Sequence, residues 1–184
     1  MIKKAVFLDK DGTLIVDKPY NINPEFVILE DGVIEGLMLL QKMDYQLIIV
    51  SNQPGISMDL FTKSQLDDLI NYMTKLLERC GIKLNGFYYC PHPAEKKTGS
   101  FVCECRKPQP GLLLRAATDL NVDLNASWMI GDILNDVEAG NLAGCRSVLI
   151  DNGNETEWRK TEIRMPIYTA QNFLSAALYI SNKT

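Results

Sequence analysis

The sequence has little of several features on which particular functions depend. His92 is the single histidine among 184 residues, so Ser-His-Asp triads, Cys-His pairs and phosphohistidine chemistry are excluded unless His92 takes part. Basic residues are not in excess, because 19 Lys and Arg stand against 23 Asp and Glu, for a net charge of −4. With no basic stripe and no interleaved aromatic residues, the sequence has no nucleic-acid-binding pattern.

Long apolar runs are missing as well. The N-terminal apolar run, AVFL, is too short for the core of a signal peptide. No later run approaches the roughly 18 apolar residues that a membrane span needs. Five cysteines in a chain of 184 residues do not suggest the disulfide framework of a small secreted protein. We therefore expect a cytoplasmic, monomeric protein that forms one domain over residues 1–184 and binds neither nucleic acid nor membranes.

Short apolar runs that alternate with helical patterns are the main feature present, and they predict an α/β fold. Strands are predicted by runs rich in aliphatic and aromatic residues, at 3–9, 45–51, 85–90, 127–132 and 145–151. Helices are predicted by apolar residues at helical spacing, at 32–43, 62–80, 134–143 and 170–180 and from Pro110 onward. The strand runs do not alternate with polar residues, which is typical of a parallel sheet with helices on both faces.

Polar or metal-binding side chains follow four of these strands, at Asp9, Ser51, Cys90 and Asp132. Because the carboxyl ends of parallel strands meet at one edge of the sheet, we expect these side chains to converge there. An aspartate nucleophile that attacks a phosphate monoester needs a divalent cation and positive groups to offset the charge of the phosphate. It also needs a second acid, which protonates the leaving oxygen and later activates water.

The stretch DKDGT, residues 9–13, supplies two carboxylates for this chemistry. Asp9 fits the nucleophile, and Asp11 fits the acid and base. The alternative is a solvated Asp-Gly turn, whereas an EF-hand is excluded because neither its glycine nor its glutamate position is matched. Further on, Asp132 and Asp136 of GDILND either complete this site or only complement a helix dipole.

The order D-x-D-G-T, Ser51, Lys107 and G-D-x-x-x-D resembles the four motifs of the haloacid dehalogenase superfamily of aspartate-nucleophile phosphatases. The resemblance covers residues 3–150, roughly, and implies a Rossmann-like fold. The intervals 14–31 and 51–62 are too short to hold a large cap domain. We therefore expect an open site whose specificity comes from short loops.

The same resemblance implies roles for the acidic residues. Catalysis would use Asp9 and Asp11 together with the serine and lysine of the motifs, Ser51 and Lys107. Mg²⁺ would be held by Asp9, the Asp11 backbone carbonyl and Asp132. Asp136 would orient the lysine or support the waters of the metal.

Cysteine is concentrated in one stretch, in which Cys90-Pro-His92 is followed by ten residues and then by Cys103-Glu-Cys105. Three thiols and one imidazole form a ligand set that structural Zn²⁺ accepts in tetrahedral geometry. The alternative is unligated cysteines with a surface histidine, but the polar loop between the pairs cannot order itself by burying apolar residues. We therefore expect a zinc-binding loop over residues 90–105, closed to water, that shapes the pocket beside the following CRKP run.

A zinc loop directly before C-R-K-P resembles two related groups of the superfamily, the heptose bisphosphate phosphatases and the histidinol-phosphate phosphatases. The length of the loop, the run CRKPQPGLLLRA and the segment SNQPGI favour the first group. By that likeness the substrate is a small phosphorylated sugar, D-glycero-D-manno-heptose 1,7-bisphosphate, which loses its 7-phosphate during nucleotide-heptose synthesis for surface polysaccharide. The likeness also implies the substrate contacts, which are Asp17, Tyr20, Ser51, Asn52, Gln53, Arg106 and Lys107.

Two departures from the pattern of that group concern the substrate. Pro54 stands where a serine is usual, and Ile133 stands where these enzymes tend to carry a lysine. The hypotheses are therefore a heptose bisphosphate phosphatase, a histidinol-phosphate or broader sugar phosphatase, and a zinc-stapled phosphate-binding module without activity. The sequence after about residue 152 carries no recognisable chemistry.

Overall fold

The computed structural model describes residues 2–94 and 103–183. The middle of the predicted zinc loop, residues 95–102, lies outside these described residues. The strands are β1 (Ala5–Leu8), β2 (Gln46–Asn52), β3 (Gly86–Cys90), β4 (Trp128–Gly131), β5 (Arg146–Ile150) and β6 (Tyr168–Ala170). The helices are α1 (Val33–Lys42), α2 (Lys63–Arg79), α3 (Gly111–Leu120), α4 (Leu134–Ala143) and α5 (Phe173–Ser181). Short 3-10 helices lie at Pro24–Phe26 and Glu162–Arg164.

The described strands form a six-stranded sheet in the order β3-β2-β1-β4-β5-β6. Each of its pairings is parallel, so the predicted parallel α/β fold is confirmed. The sequence predicted the first five strands but not β6, a three-residue strand at the edge that is too short to give a hydrophobic pattern. Helix α5 begins at Phe173 and not at residue 170, because β6 pairs with β5 and Asn172 caps the helix.

Strand residues alternate between two cores, one on each face of the sheet. On β1, Val6 and Leu8 belong to a core built with α1, α2 and α5, whereas Ala5 and Phe7 belong to a core built with α3 and α4. All four of these residues are fully buried. A strand that is covered on both faces has no solvent side, which is the physical reason for the continuous apolar runs in the sequence.

Helix α2 begins with the capping box that the sequence predicts. Thr62 Oγ1 accepts a hydrogen bond from the Gln65 N–H at 3.2 Å, and Gln65 Oε1 accepts one from the Thr62 N–H at 2.8 Å. This exchange satisfies backbone donors that a helix start leaves unpaired. The buried residues of the helix are Leu66, Leu69, Met73 and Leu77.

The carboxyl ends of the strands lie at one edge of the sheet, where the segments after β1 and β2 contain little regular secondary structure. Residues 9–32 hold one 3-10 helix, and residues 53–62 hold none of the helices and strands named above. Over residues 2–94 and 103–183 the chain therefore has no large cap domain, in agreement with the prediction. In the same part of the chain, no helix combines the length and the apolarity needed to cross a bilayer.

Candidate active site

The segment after β1 folds back so that two carboxylates, Asp9 and Asp11, line the same cavity. The Asp9 N–H donates to the Ile130 carbonyl of β4 at 3.0 Å, which keeps Asp9 at the end of the sheet. Gly12 then turns the chain with a φ of +79°. A Cβ at Gly12 would lie 2.1 Å from Asp132 Oδ2, so the turn needs glycine to pack against Asp132.

Three buried carboxylates, Asp9, Asp132 and Asp136, lie together at the ends of β1 and β4. One oxygen from each lies within 4.8 Å of the others. Lys107 reaches into this cluster, with its Nζ 2.5 Å from Asp9 Oδ1 and 2.6 Å from Asp136 Oδ1. Lys107 is 3% exposed, so both ion pairs form away from water. Of the two roles that the sequence left open for Asp136, this contact favours the orientation of Lys107.

One ammonium group does not balance three carboxylates. Burial, with repulsion from Asp9 and Asp136, raises the pKa of Asp132 to about 8. Burial also raises the pKa of Asp136 to about 6, although Lys107 opposes this shift. Burial acts to lower the pKa of Lys107, but attraction to Asp136 and Asp9 outweighs it and raises that pKa. Buried carboxylate oxygens with excess negative charge fit a divalent cation such as Mg²⁺, which prefers oxygen ligands.

Asp132 is held by hydrogen bonds to both of its oxygens. Thr13 Oγ1 donates to Asp132 Oδ1 at 3.2 Å, and Asn154 Nδ2 donates to Asp132 Oδ2 at 2.8 Å. Asn152 Nδ2 donates to the Gly12 carbonyl at 2.7 Å, so the segment after β5 also supports the turn. Sequence reasoning missed Asn152 and Asn154, and the signal that could have found them is a pair of amide side chains just after a strand.

Asp11 is positioned by two neighbours that sequence reasoning did not connect with it. Lys10 Nζ lies 2.5 Å from Asp11 Oδ1, and Gln53 Nε2 donates to Asp11 Oδ2 at 3.0 Å. Gln53 Nε2 also donates to Ser51 Oγ at 2.9 Å. Burial raises the pKa of Asp11, Lys10 opposes this rise, and the charge of Asp9 adds to it. A carboxyl group with a raised pKa keeps its proton to higher pH, as an acid catalyst must.

The CRKP loop is attached to the end of β2. Asn52 Nδ2 donates to the Lys107 carbonyl and the Lys107 N–H donates to Asn52 Oδ1, both at 3.0 Å. Arg106 Nη1 donates to the His92 carbonyl at 3.0 Å. The two basic residues are therefore fixed between the sheet and the segment that carries His92.

These groups surround a cavity of about 240 Å³, which we call the catalytic cavity. The predicted site residues that line it are Asp9, Asp11, Asp17, Ser51, Asn52, Arg106, Lys107, Asp132 and Asp136. Ile133, Asn135 and Asn154 complete the lining. Two predicted substrate contacts are not part of it, since Tyr20 is 47% exposed and Gln53 is buried behind Asp11.

Cys90, His92, Cys103 and Cys105 come together beside the end of β3. The three sulfur atoms lie 3.1–3.5 Å apart, and His92 Nδ1 lies 3.4 Å from the sulfurs of Cys90 and Cys105. Sulfur ligands at the usual Zn–S distance lie roughly 3.7 Å apart in a tetrahedron, so the arrangement fits one zinc ion with four protein ligands. Burial raises the pKa of the Cys90 thiol, and a bound zinc ion would offset this effect because zinc stabilises the thiolate.

The architecture is similar to that of proteins whose family or structure is known. A family model described as HAD-hydrolase-like matches residues 104–176. A solved D,D-heptose 1,7-bisphosphate phosphatase from B. bronchiseptica, complexed with magnesium and phosphate, has a TM-score of 0.81 at 23% identity, with 100% of both chains covered. A solved D,D-heptose 1,7-bisphosphate phosphatase from Burkholderia thailandensis has a TM-score of 0.66 at 21% identity, with 96% of this chain and 97% of that chain covered. The fold is that of the HAD-like hydrolases.

Curated relatives define the family within this class. The D-glycero-beta-D-manno-heptose-1,7-bisphosphate 7-phosphatase of Pasteurella multocida (strain Pm70) is 43% identical over 155 residues, which cover 83% of this chain and 84% of the relative. The protein of the same name from Escherichia coli (strain K12) is 42% identical over 137 residues, which cover 73% of this chain and 72% of the relative. The chain belongs to the family of these HAD-like phosphatases, and the resemblance inferred from its motifs is confirmed.

Proposed function

We propose that this protein removes the 7-phosphate from D-glycero-D-manno-heptose 1,7-bisphosphate, with Asp9 as the nucleophile. The observation that carries the proposal is the position of Lys107, between Asp9 and Asp136 in a cavity also lined by Asp11 and Asp132. This arrangement supplies a nucleophile, a cation for the phosphate, an acid and a carboxylate metal ligand in one place. The identity of 43% to a relative of that name supports the choice of substrate.

In the first step, an Asp9 oxygen attacks the phosphorus of the 7-phosphate, and the bond between phosphorus and the sugar oxygen breaks. Protonated Asp11 gives its proton to the leaving sugar oxygen, while a phospho-aspartate forms on Asp9. Lys107 and Ser51 donate hydrogen bonds to the phosphoryl oxygens and stabilise the charge on them. Heptose 1-phosphate leaves.

In the second step, a water molecule attacks the phosphorus of the phospho-aspartate. The Asp11 carboxylate takes a proton from this water, and the bond between phosphorus and the Asp9 oxygen breaks. Inorganic phosphate leaves, while the Asp9 carboxylate and the protonated Asp11 are restored. Lys10 and Gln53 keep Asp11 in place through both steps.

Mg²⁺ fits the carboxylate cluster, and we assign its ligands to Asp9, Asp132 and the backbone carbonyl of Asp11, with Asp136 in support. When bound, Mg²⁺ offsets the repulsion between the Asp9 carboxylate and the negatively charged phosphate. Asn154 fixes the orientation of Asp132, as hydrogen bonds from outside the ligand set do at metal sites.

We assign structural Zn²⁺ to the cluster of Cys90, His92, Cys103 and Cys105. Four protein ligands leave no coordination position for water or substrate, so this cluster takes no part in the chemistry. Its role is to hold the chain before and after the loop 90–105 so that the CRKP run faces the catalytic cavity.

Of the predicted substrate contacts, Asp17, Ser51, Asn52 and Arg106 line the catalytic cavity and would contact the sugar. We place the reaction in the cytoplasm, within nucleotide-heptose synthesis for surface polysaccharide, and we expect a monomer that folds as one domain over residues 1–184.

The experiment that tests the proposal compares phosphate release from heptose 1,7-bisphosphate with release from histidinol phosphate. We expect kcat/KM to be higher for the heptose by about 100-fold or more, because buried polar groups placed for one substrate are left unpaired by the other. Equal turnover of the two, or a preference for histidinol phosphate, would contradict the heptose assignment. Release of no phosphate from either compound with Mg²⁺ present would favour a binding module.

A further inference from the structure

A second cavity opens beside the catalytic cavity and has the opposite balance of charge. It measures about 340 Å³ and shares Arg106, Lys107 and Asn135 with the lining of the catalytic cavity. Its other charged lining residues are Glu138, Glu157, Arg159 and Arg164. The lining of this cavity therefore contains three arginines and two glutamates. It also contains Lys107, which is already paired with two aspartates. The catalytic cavity, in contrast, has more aspartates than basic residues in its lining.

Arg164 is held firmly in the wall of the second cavity. Its Nη2 donates to Asn135 Oδ1 at 2.5 Å, and its Nε lies 3.1 Å from Glu138 Oε2. Its Nη1 donates to the Arg159 carbonyl at 3.4 Å. The Arg164 side chain is only 13% exposed. Arg164 therefore ties the chain that follows β5 to helix α4 and positions the backbone of Arg159.

Arg159 itself presents an exposed charge in the lining of this cavity. Its side chain is 79% exposed, and its Nε lies 3.6 Å from Glu157 Oε2. An ion pair between two such exposed side chains contributes little in water. A phosphate, which carries up to two charges and accepts paired hydrogen bonds from a guanidinium group, is a stronger partner than the glutamate.

We propose that the second cavity binds the phosphate that is not hydrolysed, with Arg159 and Arg106 as its donors and Arg164 as a positioning residue. The inference rests on the proposed function, because only a bisphosphate carries a second phosphate. The sugar separates the two phosphates, so the second one lies outside the catalytic cavity while the first faces Asp9. The residues shared between the two cavities form a continuous wall along which the sugar can lie.

The position of Ile133 supports this assignment. Ile133 lines the catalytic cavity and supplies no charge. Of the two basic residues in that lining, Lys107 is already paired with two aspartates, so Arg106 needs a second cation from another segment to bind a further phosphate. Arg159 and Arg164 belong to the chain after β5, the stretch in which the sequence alone revealed no chemistry.

The test compares the preference for a bisphosphate over a monophosphate, expressed as the ratio of kcat/KM for heptose 1,7-bisphosphate to kcat/KM for heptose 7-phosphate. In Arg159→Ala we expect this ratio to fall about tenfold, mainly through a higher KM for the bisphosphate, since a charged hydrogen bond to the second phosphate is lost. In Arg159→Glu we expect a larger fall, because the new charge repels the phosphate.

Arg115→Ala is the matched control. Arg115 is 74% exposed and lies 3.7 Å from Asp119, so it resembles Arg159 in exposure and pairing but lies on α3, away from both cavities. In Arg115→Ala the ratio of kcat/KM for the bisphosphate to kcat/KM for the monophosphate should equal that of the unaltered protein. A ratio within twofold of the unaltered protein in both Arg159 variants would overturn the second-phosphate site and leave the proposed function standing. Failure of the unaltered protein to hydrolyse the bisphosphate would instead overturn the proposed function and this inference with it.

Discussion

Two clusters of residues that could hold a metal ion lie at the carboxyl edge of the sheet, and they differ in side-chain chemistry and in surroundings. The carboxylate cluster of Asp9, Asp132 and Asp136 is buried at the ends of β1 and β4 and is in contact with Lys107. The cysteine cluster consists of Cys90, which is the last residue of β3, and of His92, Cys103 and Cys105, which follow that strand.

This difference in ligand chemistry implies different roles for the two clusters. Carboxylates bind a hard cation through few protein ligands and leave coordination positions for a substrate. Four thiol and imidazole ligands complete a tetrahedron and leave none. We therefore expect damage to the carboxylate cluster to remove activity and spare the fold, and damage to the cysteine cluster to weaken the fold first.

The largest effect is expected for Asp9→Asn, which removes the proposed nucleophile. Activity should fall by roughly 10⁴-fold or more, as for other residues that form the covalent intermediate. The melting temperature should change by less than about 3 °C, because the substitution keeps the shape of the side chain and removes one of three repelling carboxylates. Phosphate release and differential scanning calorimetry measure the two quantities. Asp67→Asn, at an exposed residue of α2, is the control and should alter neither phosphate release nor the melting temperature. Near-normal turnover by Asp9→Asn would mean that a different residue is the nucleophile.

Loss of a proposed zinc ligand should have the opposite effect, lowering the stability of the fold more directly than the activity. In Cys105→Ser we expect the melting temperature to fall by more than about 5 °C, because the free energy of zinc binding contributes to folding. Activity should decline as the CRKP run loses its support. Calorimetry together with metal analysis tests this, and the unaltered protein should contain one zinc per chain. Cys80→Ser, at a half-buried cysteine outside the cluster, should keep the zinc and most of the stability. A Cys105→Ser protein as stable as the Cys80→Ser protein would argue against a structural zinc site.

A smaller effect on the carboxylate cluster is expected from Asn154→Ala, which removes the donor to Asp132 Oδ2. The Mg²⁺ concentration for half-maximal activity should rise about tenfold, the usual cost of losing a hydrogen bond to a metal ligand. Titration of activity with Mg²⁺ measures this. Asn182→Ala, at the end of α5, should leave the titration unchanged. An Asn154→Ala curve that overlays the Asn182→Ala curve would show that the hydrogen bond has no part in metal binding.

The smallest effect concerns stability without Mg²⁺. The pKa of Asp132 is raised from 3.8 to about 8 in the folded protein. Between these two pH values, Asp132 keeps its proton in the folded state but loses it in the unfolded chain. Stability should therefore decrease as the pH rises from 4 towards 8. We expect the melting temperature to fall by about 5 °C over this range and to recover on addition of Mg²⁺, more so at the higher pH. Asp132→Asn should flatten the dependence; an unchanged slope in that variant would assign it to other groups.

The sequence predicted most of the fold because its core strands are rich in apolar residues and its helices carry periodic apolar faces. Five strands are continuous apolar runs, and helices such as α2 carry both a buried face and a capping box. The edge strand β6 and the start of α5 were not predicted correctly, because pairing with β5 decides the conformation of Tyr168–Ala170. Three residues carry no pattern of their own.

The candidate site could be predicted where chemistry depends on residue type and on position after a strand. This condition holds for Asp9 and Asp132, whereas Lys107 lies well after β3 and was predicted from the C-R-K-P run. It fails for Asn154, which reaches Asp132 from an irregular segment 22 residues further along the chain. It also fails for Lys10, because a lysine beside two aspartates is expected in solvent, whereas here it is 1% exposed and paired with Asp11.

The central claim, that Asp9 carries the phosphoryl group during turnover, is tested most directly by acid quenching and peptide mass spectrometry. The Asp11→Asn variant should be used with p-nitrophenyl phosphate, whose leaving group needs no protonation, so that the first step proceeds while activation of water is impaired. We predict a phosphoryl group on the peptide that contains Asp9, and none in the Asp9→Asn, Asp11→Asn double variant. Release of p-nitrophenol with an unmodified Asp9 peptide, or with the phosphoryl group on another residue, would contradict the account.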